Sequence, residues 1–301
     1  MSILKEKIII PARDIIKNDS KIKLFYFIPW LLSIIFLSVL LVYQSIYTYV
    51  KIFWKKEEAL EIILQFFHSD YVVEVIISLV IFLIAYFLLT PIFEWWLIKY
   101  IASKNKDNMF SMSEFISLGL YKFLPIFEYN NIFSEFKFIS ILNMYLFTIR
   151  FVGVEYIRYI SYMFLVVMIF GTIINVLFSY AKYEIVLRDK WIFESVGISS
   201  KIAIFNLKTT IKLHILIFFL NIKVIINFII FLSFPIIIII AISYITSKIF
   251  LFISITILSL LFIFFILLLW YLAAVLEIFV RSIWYFAYIE WENQMKRIRD
   301  I

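Results

Sequence analysis

Cysteine is absent from this chain of 301 residues, and histidine and glycine are scarce, with two and four copies respectively. Without cysteine the protein forms no disulfide and has no thiolate nucleophile. A zinc site needs three or four cysteine, histidine or carboxylate ligands, but His68 and His214 stand far apart in the sequence and no H-E-x-x-H pattern occurs. The sequence therefore predicts no metal site.

The scarcity of glycine excludes a second group of functions. Phosphate-binding loops need clustered glycines so that the backbone can approach the ligand, and the four glycines of this chain, Gly119, Gly153, Gly171 and Gly197, are isolated. No G-x-S-x-G nucleophile motif is present either. We therefore expect a protein that is not an enzyme, with no catalytic residue and no cofactor.

Hydrophobic residues dominate what the sequence does contain. They make up 65% of the chain, and aromatic residues make up 21%. Five runs of 19 to 28 residues carry no charge: Leu24–Val50, Val75–Phe93, Tyr159–Ala181, Val224–Ser247 and Ile249–Leu276. About 20 apolar residues span the hydrocarbon core of a bilayer as a helix, and in lipid a helix satisfies its own backbone. The runs predict an all-α polytopic membrane protein.

The distribution of lysine and arginine requires a sixth span. With five spans and an internal N-terminus, the basic segment 182–212 would lie outside, against the positive-inside rule. A short apolar stretch, Phe138–Ile149, followed by a turn at Gly153, supplies the extra crossing. The predicted spans are 24–50, 71–98, 136–152, 156–181, 224–247 and 249–276. This arrangement puts 21 of the 28 basic residues on one side and 6 on the other.

That imbalance predicts a bacterial cytoplasmic membrane protein with both termini in the cytoplasm. The third span is the shortest, and it either crosses the membrane or inserts only half-way. No linker divides the chain, so residues 1–301 form one membrane domain. For residues 213–222, crossing, dipping and lying on the surface all remain open.

Two connections on the cytoplasmic side read as amphipathic interfacial helices, approximately 111–124 and 189–212. In the second, Asp189 is positioned to cap the helix, and Ile192, Val196, Ala203, Leu207 and Ile211 form an apolar stripe. Basic residues accompany the stripe: Arg188, Lys190, Lys201, Lys208 and Lys212. They form either a charged collar or contacts to lipid headgroups or a protein partner. We expect anionic membrane lipids as partners, and no nucleic acid.

Polar and kinking residues near the spans give the alternative of a transport pathway. Glu94 follows the second apolar run, and prolines that kink helices, Pro91 and Pro235, lie in the second and fifth spans. A role for Glu94 at the membrane interface is the competing interpretation, because Trp95 and Trp96 follow it as candidate interface anchors.

The last span is expected to continue out of the bilayer as one helix. Glu277 and Arg281 have the favourable i,i+4 order for an ion pair. Beyond them, Trp284, Tyr288 and Trp291 recur with the helical spacing of an aromatic belt.

The segment 180–208, YAKYEIVLRDKWIFESVGISSKIAIFNLK, resembles a signature of six-helix bacterial membrane proteins. These are the membrane domain of glycerophosphodiester phosphodiesterases and the YciC-like inner-membrane proteins. The matching positions are Tyr183, Ile185, Val186, Leu187, Glu194, Ser195 and Ser199. The resemblance covers roughly Tyr159–Tyr288 and implies six helices. Hydrolase activity is not implied, because no soluble barrel domain accompanies the segment, and Arg188 stands where the signature has an acidic residue.

Together these patterns predict a non-enzymatic integral membrane protein. Its predicted role is a lipid-facing scaffold or a partner-binding subunit of a bacterial membrane process. The alternative is a transporter or channel with a pathway near the kinked second and fifth spans.

Overall fold

A computed structural model describes residues 4–36 except 21, 25 and 34, residues 61, 64 and 65, and residues 67–105, 112–243 and 248–299. The described residues are helical with no strand, and helix accounts for 93% of the structure. The all-α prediction is therefore confirmed. The predicted first span, 24–50, lies largely outside the described residues. Its beginning belongs to a short apolar helix, Ile22–Ser33.

The N-terminal segment folds as a helix that the sequence analysis did not predict. A π-helical turn, Lys5–Ile9, leads into α1, Ile10–Asn18, with Pro11 in its first turn, where its missing N–H is tolerated. Ile8, Ala12 and Ile15 are buried at spacings of four and three. This face packs on the last helix of the chain, where Lys7 Nζ lies 2.7 Å from Glu290 Oε1.

The second predicted span, 71–98, forms most of a longer helix, α2, Val72–Asn105. The connection predicted as one interfacial helix, 111–124, is α3, Met112–Lys122. Pro125 then lies in the first turn of a further helix, α4, Leu124–Phe133. Because proline fits the first turn of a helix but not its interior, the same residue separates the two helices.

A helical hairpin follows, made of α5, Phe138–Val152, and α6, Ile157–Leu177. Gly153 ends α5 with φ 110°, a conformation that residues with a Cβ rarely adopt. The two helices pack against each other, with Tyr145 Oη 2.8 Å from Ser161 Oγ. The predicted reversal at Gly153 is present, but α5 is only 15 residues long. At 1.5 Å per residue, it reaches about 22 Å, short of a full bilayer core.

The basic segment after the hairpin differs from its prediction. A tight turn joins α6 to α7, Ala181–Arg188, and then α8, Ile192–Phe205, and α9, Leu207–Ser243, meet at a bend of 97°. The single helix predicted for 189–212 is therefore wrong. Asp189 does not cap α8; it ends α7 with φ 52°, and Trp191 precedes α8 as its N-cap residue.

The last helix, α10, is Lys248–Arg299, so the prediction that the last apolar run continues as one helix past Leu276 is confirmed. By length and apolar composition, three helical stretches could cross a membrane: Val72–Asn105, Ile157–Arg188 and Ile263–Gln294. The number rises to five if each of two bent helix pairs counts as one span. These counts hold for the described residues.

Burial is concentrated at one end of these helices. The apolar window of α2 has no buried residue, and those of the other two stretches are 17% buried, so their side chains face outward. The main core joins α1, the ends of α2 and α10, and parts of α4, α7 and α8. Trp95, Trp96, Trp284 and Tyr288 are each 8% exposed or less within this core. They therefore pack inside the protein and do not form the predicted interface anchors and aromatic belt.

Candidate polar site

Glu94 is the centre of a buried ion cluster. Its side chain is 6% exposed, and its Oε1 lies 2.5 Å from Lys182 Nζ and 2.7 Å from Arg281 Nη2. Asn130 Nδ2 donates to Oε2 at 2.9 Å. Four helices, α2, α4, α7 and α10, therefore meet at one carboxylate. A buried charge is tolerated only when such partners offset its desolvation.

Arg281 is held from two further directions. The predicted pair with Glu277 is confirmed, since Arg281 Nε donates to Glu277 Oε1 at 2.8 Å. The backbone carbonyl of Arg281 also accepts a hydrogen bond of 2.8 Å from the Tyr183 hydroxyl. Fixed by two carboxylates, the guanidinium has little freedom to reorient, so its remaining N–H groups are preorganised.

A cavity of about 160 Å³ adjoins this cluster. Its basic wall consists of Lys137, Lys182 and Arg281, and its polar wall includes Asn175, Ser179 and His214. Ser179 Oγ lies 2.7 Å from His214 Nε2, and the imidazole packs on Trp284 with ring centroids 4.8 Å apart. We call this cavity the polar pocket.

A second cavity of about 370 Å³ shares Asn175 and His214 with the polar pocket. Apolar side chains of α5, α6 and α9 line it, including Ile141, Met168, Val176 and Phe218. We call this cavity the apolar groove. On α6 and α9 the groove reaches farther into the apolar stretches than the polar pocket does, to Met168 and to Phe218, and on α5 it is lined by Ile141. From the first cavity to the second, the lining therefore changes from polar to apolar in the direction of the predicted bilayer centre.

The basic residues predicted as contacts to lipid or partner divide into two groups. Arg188 and Lys190 have partners within the chain: Arg188 Nη2 lies 3.6 Å from Glu292 Oε1, and Lys190 Nζ lies 2.6 Å from Glu194 Oε1. Lys201, Lys208 and Lys212 are exposed. The structure gives these three lysines no ion pair with a described residue.

The apolar stripe predicted for the lipid side of this segment faces mainly the protein. Ile192 and Ala203 are buried in the core, whereas Leu207 and Ile211 are exposed. The most exposed apolar residues of the segment are Trp191, Phe193, Ile204 and Phe205, each at least 60% exposed. Together with Lys201 and Lys208 they form what we call the outer face of α8.

The residues proposed for a pathway take different places in the structure. Glu94 belongs to the ion cluster, and Pro91 is buried within α2, whose helix continues past it. Pro235 lies on a helical part of α9. Neither Glu94 nor Pro91 lines the polar pocket or the apolar groove.

Sequence reasoning missed Lys137, Lys182 and Ser179 as members of one site. A signal was present: Glu94 and Lys182 are the first charged residues after their apolar runs, and Arg281 follows the last run closely. Helices that end at one boundary of a bilayer bring such residues to one level. Their pairing depends on tertiary packing.

One charge outside the spans is also buried. Asp19, after α1, is 6% exposed and accepts hydrogen bonds from Lys104 Nζ and Tyr100 Oη, each at 2.5 Å. Burial opposes ionisation of this carboxyl, but these bonds and one from the Ile22 N–H outweigh it, so the pKa of Asp19 is lowered. This contact fixes α1 to the end of α2.

Fold and composition define the class: an all-helical protein with long, outward-facing apolar helices, as in polytopic membrane proteins. Comparisons with family models, with curated proteins and with solved structures find no match to this chain.

Proposed function

We propose that this protein is a non-enzymatic integral protein of a bacterial cytoplasmic membrane. It acts there as a lipid-facing scaffold whose outer face of α8 lies on anionic lipid. In this proposal six spans cross the bilayer, both termini are cytoplasmic, and the packed core lies at the cytoplasmic boundary. The family resemblance of segment 180–208 to YciC-like proteins is part of the same proposal.

The outer face of α8 is the observation that carries the proposal. Phe193, Ile204 and Phe205 are 60%, 62% and 78% exposed, although they adjoin a well-packed core. Exposed clusters of large apolar residues mark interaction surfaces. Lys201 on α8 and Lys208 just beyond the bend to α9 are exposed, and they can extend their ammonium groups to anionic headgroups while their alkyl stems lie along lipid. The combination is typical of a helix in the headgroup layer.

Spin labelling tests this position, since the cysteine-free chain accepts single cysteines without background. The full-length protein carries one label at Phe193→Cys or Ile204→Cys, with Lys17→Cys, at an exposed position of α1, as the control away from this face. It is reconstituted in bilayers with and without anionic lipid. We expect collisions with O₂ to dominate at positions 193 and 204, and collisions with a water-soluble nickel chelate to dominate at position 17.

Equal, water-like accessibility at all three positions would contradict the proposed lipid contact and leave this face to a protein partner. The same measurement on labelled Lys201→Gln and Lys208→Gln variants tests the electrostatic part of the proposal. If label accessibility does not depend on anionic lipid in the variants or in their parent, that part is contradicted.

A further inference from the structure

The polar pocket has an uneven distribution of charge. Lys137, Lys182 and Arg281 line it, and among the residues that the structure describes no acidic side chain does. Glu94 stands behind the lining, where it neutralises part of the charge of Lys182 and Arg281. Lys137 is exposed at the rim and has no ion pair with a described residue. The lining therefore presents donors and positive charge to any occupant, which favours an anion.

The apolar groove adds a second requirement. Thr172 and Val176 of α6 and Ile215 and Phe218 of α9 contribute to its walls. Ile215 and Phe218 are 50% and 59% exposed, so the groove opens on the side where lipid would lie. Its volume of 370 Å³ falls within the range of about 300–1,000 Å³ that is usual for small-molecule pockets.

The order of the two cavities matches the order of groups in a phospholipid. The polar pocket lies at the charged ends of the helices, and the apolar groove extends from it along their apolar stretches. A soluble phosphate compound would use only the first cavity, and a fatty chain without a charged head would leave the basic wall unmatched. One molecule with an anionic head and an acyl chain satisfies both.

We propose that the polar pocket and the apolar groove together bind one anionic phospholipid. Its phosphate lies against Lys137, Lys182 and Arg281, and an acyl chain lies between α6 and α9. The proposal rests on the proposed function in that both place this end of the molecule at the bilayer boundary. It differs in assigning a single site with defined residues, whereas the outer face of α8 contacts the lipid surface at large.

Binding is measured by native mass spectrometry of the full-length protein after removal of copurified lipid. The probes are phosphatidylglycerol, phosphatidylcholine and inorganic phosphate. Lys137→Glu reverses the charge at the rim without removing an ion pair, and Thr172→Phe fills the groove. Thr172 is exposed and bonds only within its own helix, to Met168 O at 2.8 Å. Lys201→Glu makes the same charge change on the outer face of α8.

We expect one phosphatidylglycerol to bind more tightly than further copies, and Lys137→Glu and Thr172→Phe to weaken that first binding about tenfold or more. Lys201→Glu should leave it unchanged. Phosphatidylcholine should bind at least several-fold more weakly, because no acidic side chain of the lining offers a partner to its ammonium group. Inorganic phosphate should compete poorly, because it gains nothing from the groove.

The proposal is overturned if neither pocket variant changes the first binding, if phosphatidylcholine binds equally well, or if inorganic phosphate displaces phosphatidylglycerol at comparable concentration. These outcomes are distinct from failure of the proposed function. Water-like labels at positions 193 and 204 would refute lipid contact by the outer face of α8 without altering the phosphatidylglycerol stoichiometry.

Discussion

Glu94 Oε1 and Arg281 Nη2 lie 2.7 Å apart and join α2 to α10 inside the protein. Lys182 completes the contact from α7. Because the three side chains are at most 23% exposed, each charge depends on the others for the interactions that water would otherwise supply. The cluster is therefore a structural joint of the packed core, and its disruption has consequences for stability.

Replacing Glu94 by glutamine should destabilise the protein strongly. The change preserves shape but leaves Lys182 and Arg281 without their shared carboxylate, and breaking a buried ion pair in this way costs about 3–5 kcal/mol. Thermal unfolding in detergent, followed by tryptophan fluorescence, measures the effect. Glu74→Gln is the control, because Glu74 is exposed near the other end of the same helix.

The double variant Glu94→Gln/Lys182→Met tests whether uncompensated charge is the cause. If it is, the second change should recover part of the lost stability, because it removes Lys182, the cation that Glu94→Gln leaves without a carboxylate, whereas Arg281 keeps its pair with Glu277. Lys182→Met is also measured alone. If adding it to Glu94→Gln lowers stability by as much as it does in the parent, charge balance is not what Glu94 provides.

Gly171 and Gly197 should respond oppositely to substitution by alanine. A Cβ at Gly171 would stand 2.6 Å from Ile141 Cδ1 and 2.8 Å from the backbone oxygen of Phe136. Phe136 O also accepts a hydrogen bond from Asn175 Nδ2 at 2.7 Å, so displacement of this oxygen disturbs a second contact. We expect Gly171→Ala to cost about 1–3 kcal/mol, as overpacking does.

At Gly197, on the exposed side of α8, a Cβ would meet nothing within 4 Å. Because alanine restricts the unfolded chain more than glycine does, Gly197→Ala should raise stability by about 0.5–1 kcal/mol. Chemical denaturation of the two variants side by side measures both effects. A loss of stability in Gly197→Ala would show that this side of α8 packs against a partner molecule and is not free.

Local sequence patterns predicted the helices but not their partners. The helices at Val75–Phe93 and Tyr159–Ala181, the turn at Gly153 and the Glu277–Arg281 pair all follow from patterns along one segment, and each is present in the described part of the structure. Periodicity marks an apolar face without saying what covers it. For this reason the stripe through Ile192 and Ala203, predicted to contact lipid, was found on the protein core.

The candidate site was harder to predict, because its residues lie far apart in the chain. Glu94 was identified by its place at the end of an apolar run, but its contacts with Lys182 and Arg281 depend on how three helices pack. Trp95 and Trp96 show the same limit: tryptophan beside an apolar run is typical of a membrane interface, and it serves equally well in a core. The choice between them is made by tertiary structure.

Acid should weaken the attachment of α1 through Asp19. The folded pKa of this carboxyl lies below its ordinary value, so its contribution is fully present above the unfolded pKa of about 4 and is lost as pH falls through the folded pKa. Asp19→Asn should therefore lower stability near neutral pH by about 1–3 kcal/mol, the usual cost of disrupting a buried hydrogen-bonded charge. It should also flatten the decline of stability below pH 4.

Unfolding measured from pH 3 to pH 7 tests both parts. Asp14→Asn provides the control, because the Asp14 side chain is 48% exposed and its nearest basic partner, Arg13, is 3.7 Å away. An acid limb that is equally steep in Asp19→Asn and in the parent would assign the pH dependence to other carboxyls.

Cysteine accessibility should decide how far the α5–α6 hairpin inserts. Glu155 lies in the turn between the two helices, and Tyr121, 87% exposed, lies on α3 near the basic end of the molecule. If six spans cross the membrane, Glu155→Cys in intact cells reacts with a membrane-impermeant maleimide, and Tyr121→Cys reacts only after permeabilisation. Because α5 has 15 residues, a full crossing requires local thinning of the bilayer or a contribution from α4. A Glu155→Cys variant that stays unlabelled in both conditions would instead identify the hairpin as re-entrant, with its tip inside the bilayer.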